Sequence, residues 1–154
     1  MKKIVLIACV SKKSDKKQKA ELLYQSSLFK KELQYAKEVI RADKIFILSA
    51  LHGLLNLSDE IEPYNLTLND MAVAKRKAWA EEVLKSLREN ADIEKDEFVF
   101  LAGERYRQFL IPFLKNYSIP MQGLKIGMQL QWLTKELAKQ MHRDYVRVEV
   151  DDRS

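Results

Sequence analysis

Apolar residues fall along this chain in two alternating patterns: short unbroken runs, and longer stripes with the spacing of helical turns. The runs are residues 4–9, 45–49 and 98–102. They are rich in Ile, Val, Leu and Phe and almost without polar interruption, which is how a strand buried on both faces of a parallel sheet reads. The stripes are Phe29, Leu33, Ala36 and Ile40; Trp79, Val83 and Leu87; Tyr106, Phe109, Leu110 and Phe113; and Ile126, Leu130, Leu133, Leu137 and Met141. Recurrence every three or four positions predicts amphipathic helices. Ser26 or Ser27 caps the first of these, Thr67 with Asp70 resembles a capping box before a helix over 69–90, and Pro112 kinks or ends the third. Tyr145, Val146, Val148 and Val150 predict a final strand.

Strands alternating with helices imply an α/β fold with crossover helices. The expected architecture is a three-layer sandwich in a single domain over residues 1–154: a central, mostly parallel sheet of about four strands flanked by helices. Ligands in such sheets bind beyond the carboxyl ends of the strands. Three strand exits therefore converge on one edge, carrying Ser11, Lys12 and Lys13; Ser49, His52 and Gly53; and Gly103 and Tyr106. The second exit runs into an acidic loop, Asp59, Glu60 and Glu62, closed by Pro63 and Tyr64. Proline at 63 restricts Glu62 to extended backbone.

These residue types suit distinct tasks. His52 is one of two histidines and titrates nearest neutral pH, while Glu62 is a second group for proton transfer. Both are the expected catalytic residues. Ser11, Lys12 and Lys13 offer a hydroxyl and positive charge to an anionic group, and Tyr64 and Tyr106 offer aromatic faces for a nucleobase. Ser49, Gly53 and Gly103 complete the expected ligand site. Each also has a plain structural reading, as a core-edge residue or a solvated loop charge.

Composition narrows the classes. The chain has 154 residues, 47% of them hydrophobic and 32% charged, which suits a helix-rich domain with a full core. The net charge of +5 is local: the first 20 residues hold seven lysines against one aspartate, so residues 21–154 sum to −1. That places a basic loop at the amino end and no basic face elsewhere. The lone cysteine, Cys9, excludes an internal disulfide. No apolar stretch approaches the roughly 20 residues of a membrane span, and no leader pattern precedes the first strand, so a cytoplasmic location is expected. Without CxxC or HExxH, no metal is expected; without GxGxxG, a P-loop or GxSxG, no cofactor is expected and serine hydrolysis is disfavoured.

The segments LIACVSKK, LYQSSLFKK, ILSALHGLL, EIEPYNLTL, FLAGERY and GLKIGMQLQWL, in that order, carry a resemblance over Ile4 to Leu133. They resemble a family of small bacterial and phage proteins of unassigned function, with elements of the type SAKYGLL, EPYDxTL, LAGxxY and IGxQLxWL. The chain is more distantly similar to the uracil-DNA-glycosylase-like domain of archaeosine synthase and to YaaA-type peroxide-stress proteins. The resemblance implies a fold like that of uracil-DNA glycosylases and a nucleobase or nucleic-acid connection. It carries over no mechanism: the first exit, Val10-Ser11-Lys12-Lys13, lacks the acid that uracil excision places there, and Leu51-His52 stands where the family has Lys-Tyr. The expected function is an enzyme directed at a nucleobase, nucleoside or nucleotide, acting at an N-glycosidic bond. The alternatives are a non-catalytic nucleic-acid binder in DNA modification, repair or phage defence, and an interaction or scaffold protein. The partner is thus a nucleobase-containing small molecule or a nucleic acid, with no membrane, and the oligomeric state is left open.

Overall fold

A computed structural model of the protein describes residues 1–8, 13 and 15–153, with side chains as far as residue 148. Cys9, Ser11 and Lys12 lie outside the described residues.

The chain opens with β1 (Lys3–Ala8), then a short β2 (Gln18–Lys19) and a single helical turn, α1 (Ala20–Leu23). Helix α2 (Ser27–Tyr35) runs into a wider π turn at Ala36–Ile40, and Arg41 closes it in left-handed backbone at φ 55°. Ser26 is the cap: its Oγ accepts the Phe29 N–H at 3.1 Å. Next come β3 (Lys44–Ser49), β4 (Gly53–Asn56), β5 (Glu60–Ile61) and α3 (Val73–Asn90). The second half holds β6 (Glu97–Leu101), α4 (Glu104–Arg107), β7 (Asn116–Ser118) and α5 (Ile126–Arg153).

Five strands form the main sheet in the order β4-β3-β1-β6-β7, and β2 and β5 form a separate two-stranded ribbon. In the main sheet β1 pairs in parallel with both β3 and β6, β6 pairs in parallel with β7, and β4 pairs antiparallel with β3; the β2–β5 ribbon is antiparallel. Alternation along β1 then builds two cores. Val5 and Ile7 face Phe29, Tyr35, Leu133 and Leu137 of α2 and α5. Ile4 and Leu6 face Ala80, Val83, Leu84 and Leu87 of α3. The sheet is the middle of three layers, and its central strand is apolar from Ile4 to Ala8 because there neither face is open to water.

Two aspartates clamp the amino end of β1. Asp43 accepts the Lys3 N–H at 2.8 Å and returns its own N–H to the Lys3 carbonyl at 2.8 Å. Asp96 accepts the Lys2 N–H at 2.9 Å and the Asp92 N–H at 2.8 Å. These contacts set the start of the register, Ile4 opposite Lys44 and Lys3 opposite Glu97.

Several expectations need correction. Residues 145–150 are not a strand: α5 continues through them to Arg153, and Met141, Tyr145, Val146 and Val148 are all exposed. Among the described residues no strand pairs with them, and the helix already docked at Leu133 and Leu137 propagates by its own i→i−4 bonds. The buried stripe of α5 is accordingly shorter than its sequence period, with Ile126 and Met141 both in solvent. The helix after Gly103 is one turn long. Pro112 sits in a separate 3-10 turn, Ile111–Phe113, and Phe113 is exposed. The sheet has five strands, because Asn116–Ser118 adds an edge and Gly53–Asn56 folds back on β3 as a hairpin. Three residues separate Ser49 from its partner Gly53, whose φ of 72° meets the tight turn.

Two outcomes check this fold. Leu133→Ala should cost about 2–5 kcal/mol in urea titration, as buried leucine truncations do, whereas Met141→Ala should change stability by less than about 0.5 kcal/mol, as exposed sites do. The Asp92 and Lys2 N–H groups, in that order, hold the Asp96 carboxyl below its ordinary range. Stability from that group is therefore full above the unfolded-state value of about 3.9 and is lost as pH falls through the lowered folded value. The stability gap between the protein and Asp96→Asn should be present at neutral pH and close on acidification below about pH 4; a gap constant into strong acid contradicts the clamp.

Candidate functional site

The carboxyl edge of the sheet carries two adjoining features, a cavity beyond β1 and β6 and a polar cluster beyond β3. The cavity encloses about 540 Å³, within the range of small-molecule sites. Ala8 ends β1 at its floor, and Phe100 to Gly103 bring the end of β6 to its wall. The amino-terminal turn of α2, α4 and the first turn of α5 close the sides. Its lining is largely apolar, with Met121, Leu124 and Leu130 among the contributors.

Three charged side chains belong to that lining: Glu104, which is exposed, and Glu32 and Arg107, which are not. Glu32 of α2 is 3% exposed and lines the cavity. It lies one turn beyond Phe29, on the buried face of its helix, and makes contacts within the fold. Arg107 of α4 is half-buried and donates from Nη1 to the Ala102 carbonyl at 2.8 Å, which ties the helical turn to the end of β6. Neither residue was singled out by the spacing of strand exits. Glu32 had a signal of its own: an acid at the i+3 position of an apolar stripe is the informative exception to hydrophobic burial. Arg107 had none, since it follows Tyr106 in an ordinary charged helix turn.

The cluster beyond β3 is built on Ser49, which is fully buried. Its Oγ accepts the His52 N–H at 3.0 Å and donates to the Tyr64 hydroxyl at 2.9 Å. The Tyr64 and Tyr24 hydroxyls lie 2.5 Å apart. The Tyr64 ring meets the His52 ring edge-on at 5.6 Å, and Lys13 Nζ sits over it at 4.6 Å. A chain of hydroxyls thus joins the hairpin turn, the acidic loop and the buried Tyr24, and Lys13 lies against its face with a bridge to Tyr24. Because a buried hydroxyl without a partner is costly, this network holds the loop to the sheet.

Trp79 and Tyr106 join the two features. Trp79 of α3 donates from Nε1 to the Ser49 carbonyl at 2.8 Å, and its ring meets Tyr106 edge-on at 5.7 Å. Tyr106 lines the cavity, and its hydroxyl accepts the Leu68 N–H at 3.3 Å and lies 3.3 Å from the Thr67 Oγ1.

Placement of the expected site residues is therefore divided. Gly103 and Tyr106 line the cavity. Ser49, His52, Tyr64 and Lys13 meet one another in the cluster. Gly53 begins β4 in the hairpin, and a Cβ there would lie 3.7 Å from Val83, so it faces α3. Glu62 is exposed and is not part of the cavity lining, while its neighbour Ile61 is held in the ribbon opposite Gln18. Ser11 and Lys12 lie outside the described residues. Among the described residues, no group of three His, Cys, Asp or Glu is arranged to hold a metal ion, and no helix is long and apolar enough to cross a membrane.

Ser49→Ala leaves the His52 N–H and the Tyr64 hydroxyl each short of one partner, so it should lower stability by about 1–3 kcal/mol in a denaturant titration. A loss near zero means that water replaces the serine and the network does not hold the loop.

A comparison with curated proteins finds none that matches the chain. A family model does match, over residues 4–135, a span that begins at β1 and ends within α5 and includes both features of the sheet edge. By that match the chain belongs to DUF6884, a family of unknown function.

Proposed function

We propose that the protein binds a nucleobase-containing small molecule at the carboxyl edge of its sheet and acts on it at the N-glycosidic bond. The observation that carries this reading is the cavity beyond β1 and β6: about 540 Å³ of mostly apolar space at the edge where parallel sheets hold ligands. Apolar walls accept the flat face of a base, and the few polar groups orient it. A base seated there directs its sugar along the edge toward β3, the strand on the other side of β1. That side offers the half-buried Tyr64, which the buried Ser49 hydroxyl holds in place, the Lys13 ammonium for an anionic substituent, and His52 for proton transfer. His52 is exposed and backed by the Tyr64 ring, so its imidazole is accessible to a substrate. The three-layer arrangement is compatible with the uracil-DNA-glycosylase-like fold that the sequence resemblance implies, and a glycosidic bond is the bond such a site would address.

The amino-terminal lysines favour a second reading, a nucleic-acid binder without catalysis. Its mark would be an affinity for DNA that falls steeply with salt, because each neutralised phosphate releases counterions.

Thermal shift against nucleosides, nucleotides and free bases tests the first reading. A ligand at a hundredfold excess over its Kd should stabilise the protein by about 2.7 kcal/mol. With a binding nucleoside, chromatography should detect released base, and His52→Ala should slow release by roughly 10²–10⁴-fold while leaving affinity unchanged. A panel in which nothing raises the Tm overturns the binding reading, and binding without release overturns the catalytic part.

A further inference from the structure

We infer that the far half of α5 is a dimer surface, on which a second copy of this chain packs in the antiparallel direction. This surface is separate from the cavity and does not depend on the nucleobase reading.

α5 is docked over only part of its length. Its apolar positions Leu133, Leu137, Met141, Tyr145 and Val148 follow at steps of four, four, four and three, the spacing of one helix face. The first two are buried, whereas every residue from Met141 to Val148 is exposed. Gln140 is the last buried residue among those described, and α5 continues about 20 Å beyond it at a rise of roughly 1.5 Å per residue. Met141, Tyr145 and Val148 are 69%, 67% and 59% exposed. At about 100° per residue they fall within about 60° of arc. The seam is thus continuous with an interface already made inside the chain, and its bare half has room for a second helix.

The charges beside the seam indicate which helix. Asp144 and Arg147 lie on the same flank, three residues apart and opposite in sign. Asp144 uses Oδ1 for its contacts, accepting from Gln140 Nε2 at 3.0 Å and pairing with Arg41 at 3.9 Å. Its Oδ2 has no contact among the described residues, and Arg147 makes no hydrogen bond or ion pair among them. The other charges nearby are engaged within the helix: Lys139 pairs with Glu136 at 3.1 Å, and Arg143 donates to the Gln140 Oε1 at 2.8 Å.

A second copy running the opposite way, about a two-fold axis at Tyr145, sets Asp144 of each copy against Arg147 of the other. The same axis brings the two Tyr145 rings together and sets Met141 against the second copy's Val148. Both ion pairs and the apolar seam close in one register, as an isologous contact requires. Two parallel helices set each flank against the other's opposite flank, so Asp144 and Arg147 do not meet. An acidic helix of another protein, or an anionic membrane, leaves Asp144 facing like charge. The seam is short, so the dimer belongs at the weak end of specific contacts and forms as concentration rises. At the dilution of a spectroscopic unfolding experiment the chain is monomeric, and Met141 stays in solvent.

Sedimentation equilibrium of the full chain, from micromolar to millimolar concentration, tests this. The mass should rise from 18.0 kDa toward twice that value. Tyr145→Asp should stay at 18.0 kDa throughout, with an unchanged far-UV spectrum and melting transition, because the side chain lies outside the core. Asp144→Arg and Arg147→Asp should each weaken association roughly 10-fold, since each turns two ion pairs into repulsions. Both exchanges on one chain should restore it. A mass of 18.0 kDa at every concentration overturns the dimer. A dimer that Tyr145→Asp leaves intact overturns this surface, and one that the double exchange does not restore overturns the antiparallel register. Monomeric protein that binds phosphatidylserine vesicles, and loses them in Tyr145→Asp, gives the face to an anionic membrane and overturns the proposal.

Discussion

The structure depends on one strand being paired on both sides in the same direction. From Ile4 to Ile7, each residue of β1 has a partner on β3 and another on β6, and all four are fully buried. Parallel pairing forces the carboxyl ends of the three strands to the same edge, and burial of both faces forces helices onto each side. The amino edge is then closed by side chains, with Asp43 and Asp96 accepting the N–H groups of Lys3 and Lys2. The carboxyl edge stays open, with the turns after β3 and β6 leaving it in different directions. The cavity and the Ser49 cluster are the two consequences of that asymmetry.

Those two features work as one edge because α3 crosses behind them. Its Trp79 reaches the Ser49 carbonyl with its indole N–H and meets Tyr106 with its ring, so the exits of β3 and β6 are held by a single side chain. Arg76, one turn earlier on α3, is buried and donates to the Met71 carbonyl at 3.2 Å and to the Gln108 Oε1 at 2.8 Å. It anchors the segment after α4 to the start of α3. The walls of the cavity are thus braced from the opposite face of the sheet, which suits a preformed site in which orientation of the ligand costs little on binding.

Much of the scaffold was legible because burial on two faces leaves an unmistakable trace. The runs at 4–9, 45–49 and 98–102 correspond to Lys3–Ala8, Lys44–Ser49 and Glu97–Leu101; the first and third are shifted by a residue, and the second begins one residue earlier. The edge elements were not legible. β7 is Asn116-Tyr117-Ser118, a short polar strand paired on one side, and nothing in its composition separates it from a loop. β4 followed from a turn signal, Gly53 after three residues, that is visible only once a hairpin is considered. The end of α5 misled through its β-branched residues, since Val146 and Val148 favour strands only where a sheet is there to receive them. At the site, exits located the edge but not its contents: Gly103 and Tyr106 come from a strand exit, whereas Glu32 comes from a helix that the exits do not mark.

The account stands on the cavity being the place where ligand binds. Chemical-shift mapping of the amide resonances during titration with the nucleoside or nucleotide that raises the Tm most measures this most directly. The account predicts that the largest changes fall on the first turns of α2, on Ala102 to Arg107 and around Leu124, with smaller ones at Ser49 and His52. Changes confined to the exposed end of α5, or to the outer face of α2 around Gln34 and Lys37, would contradict it.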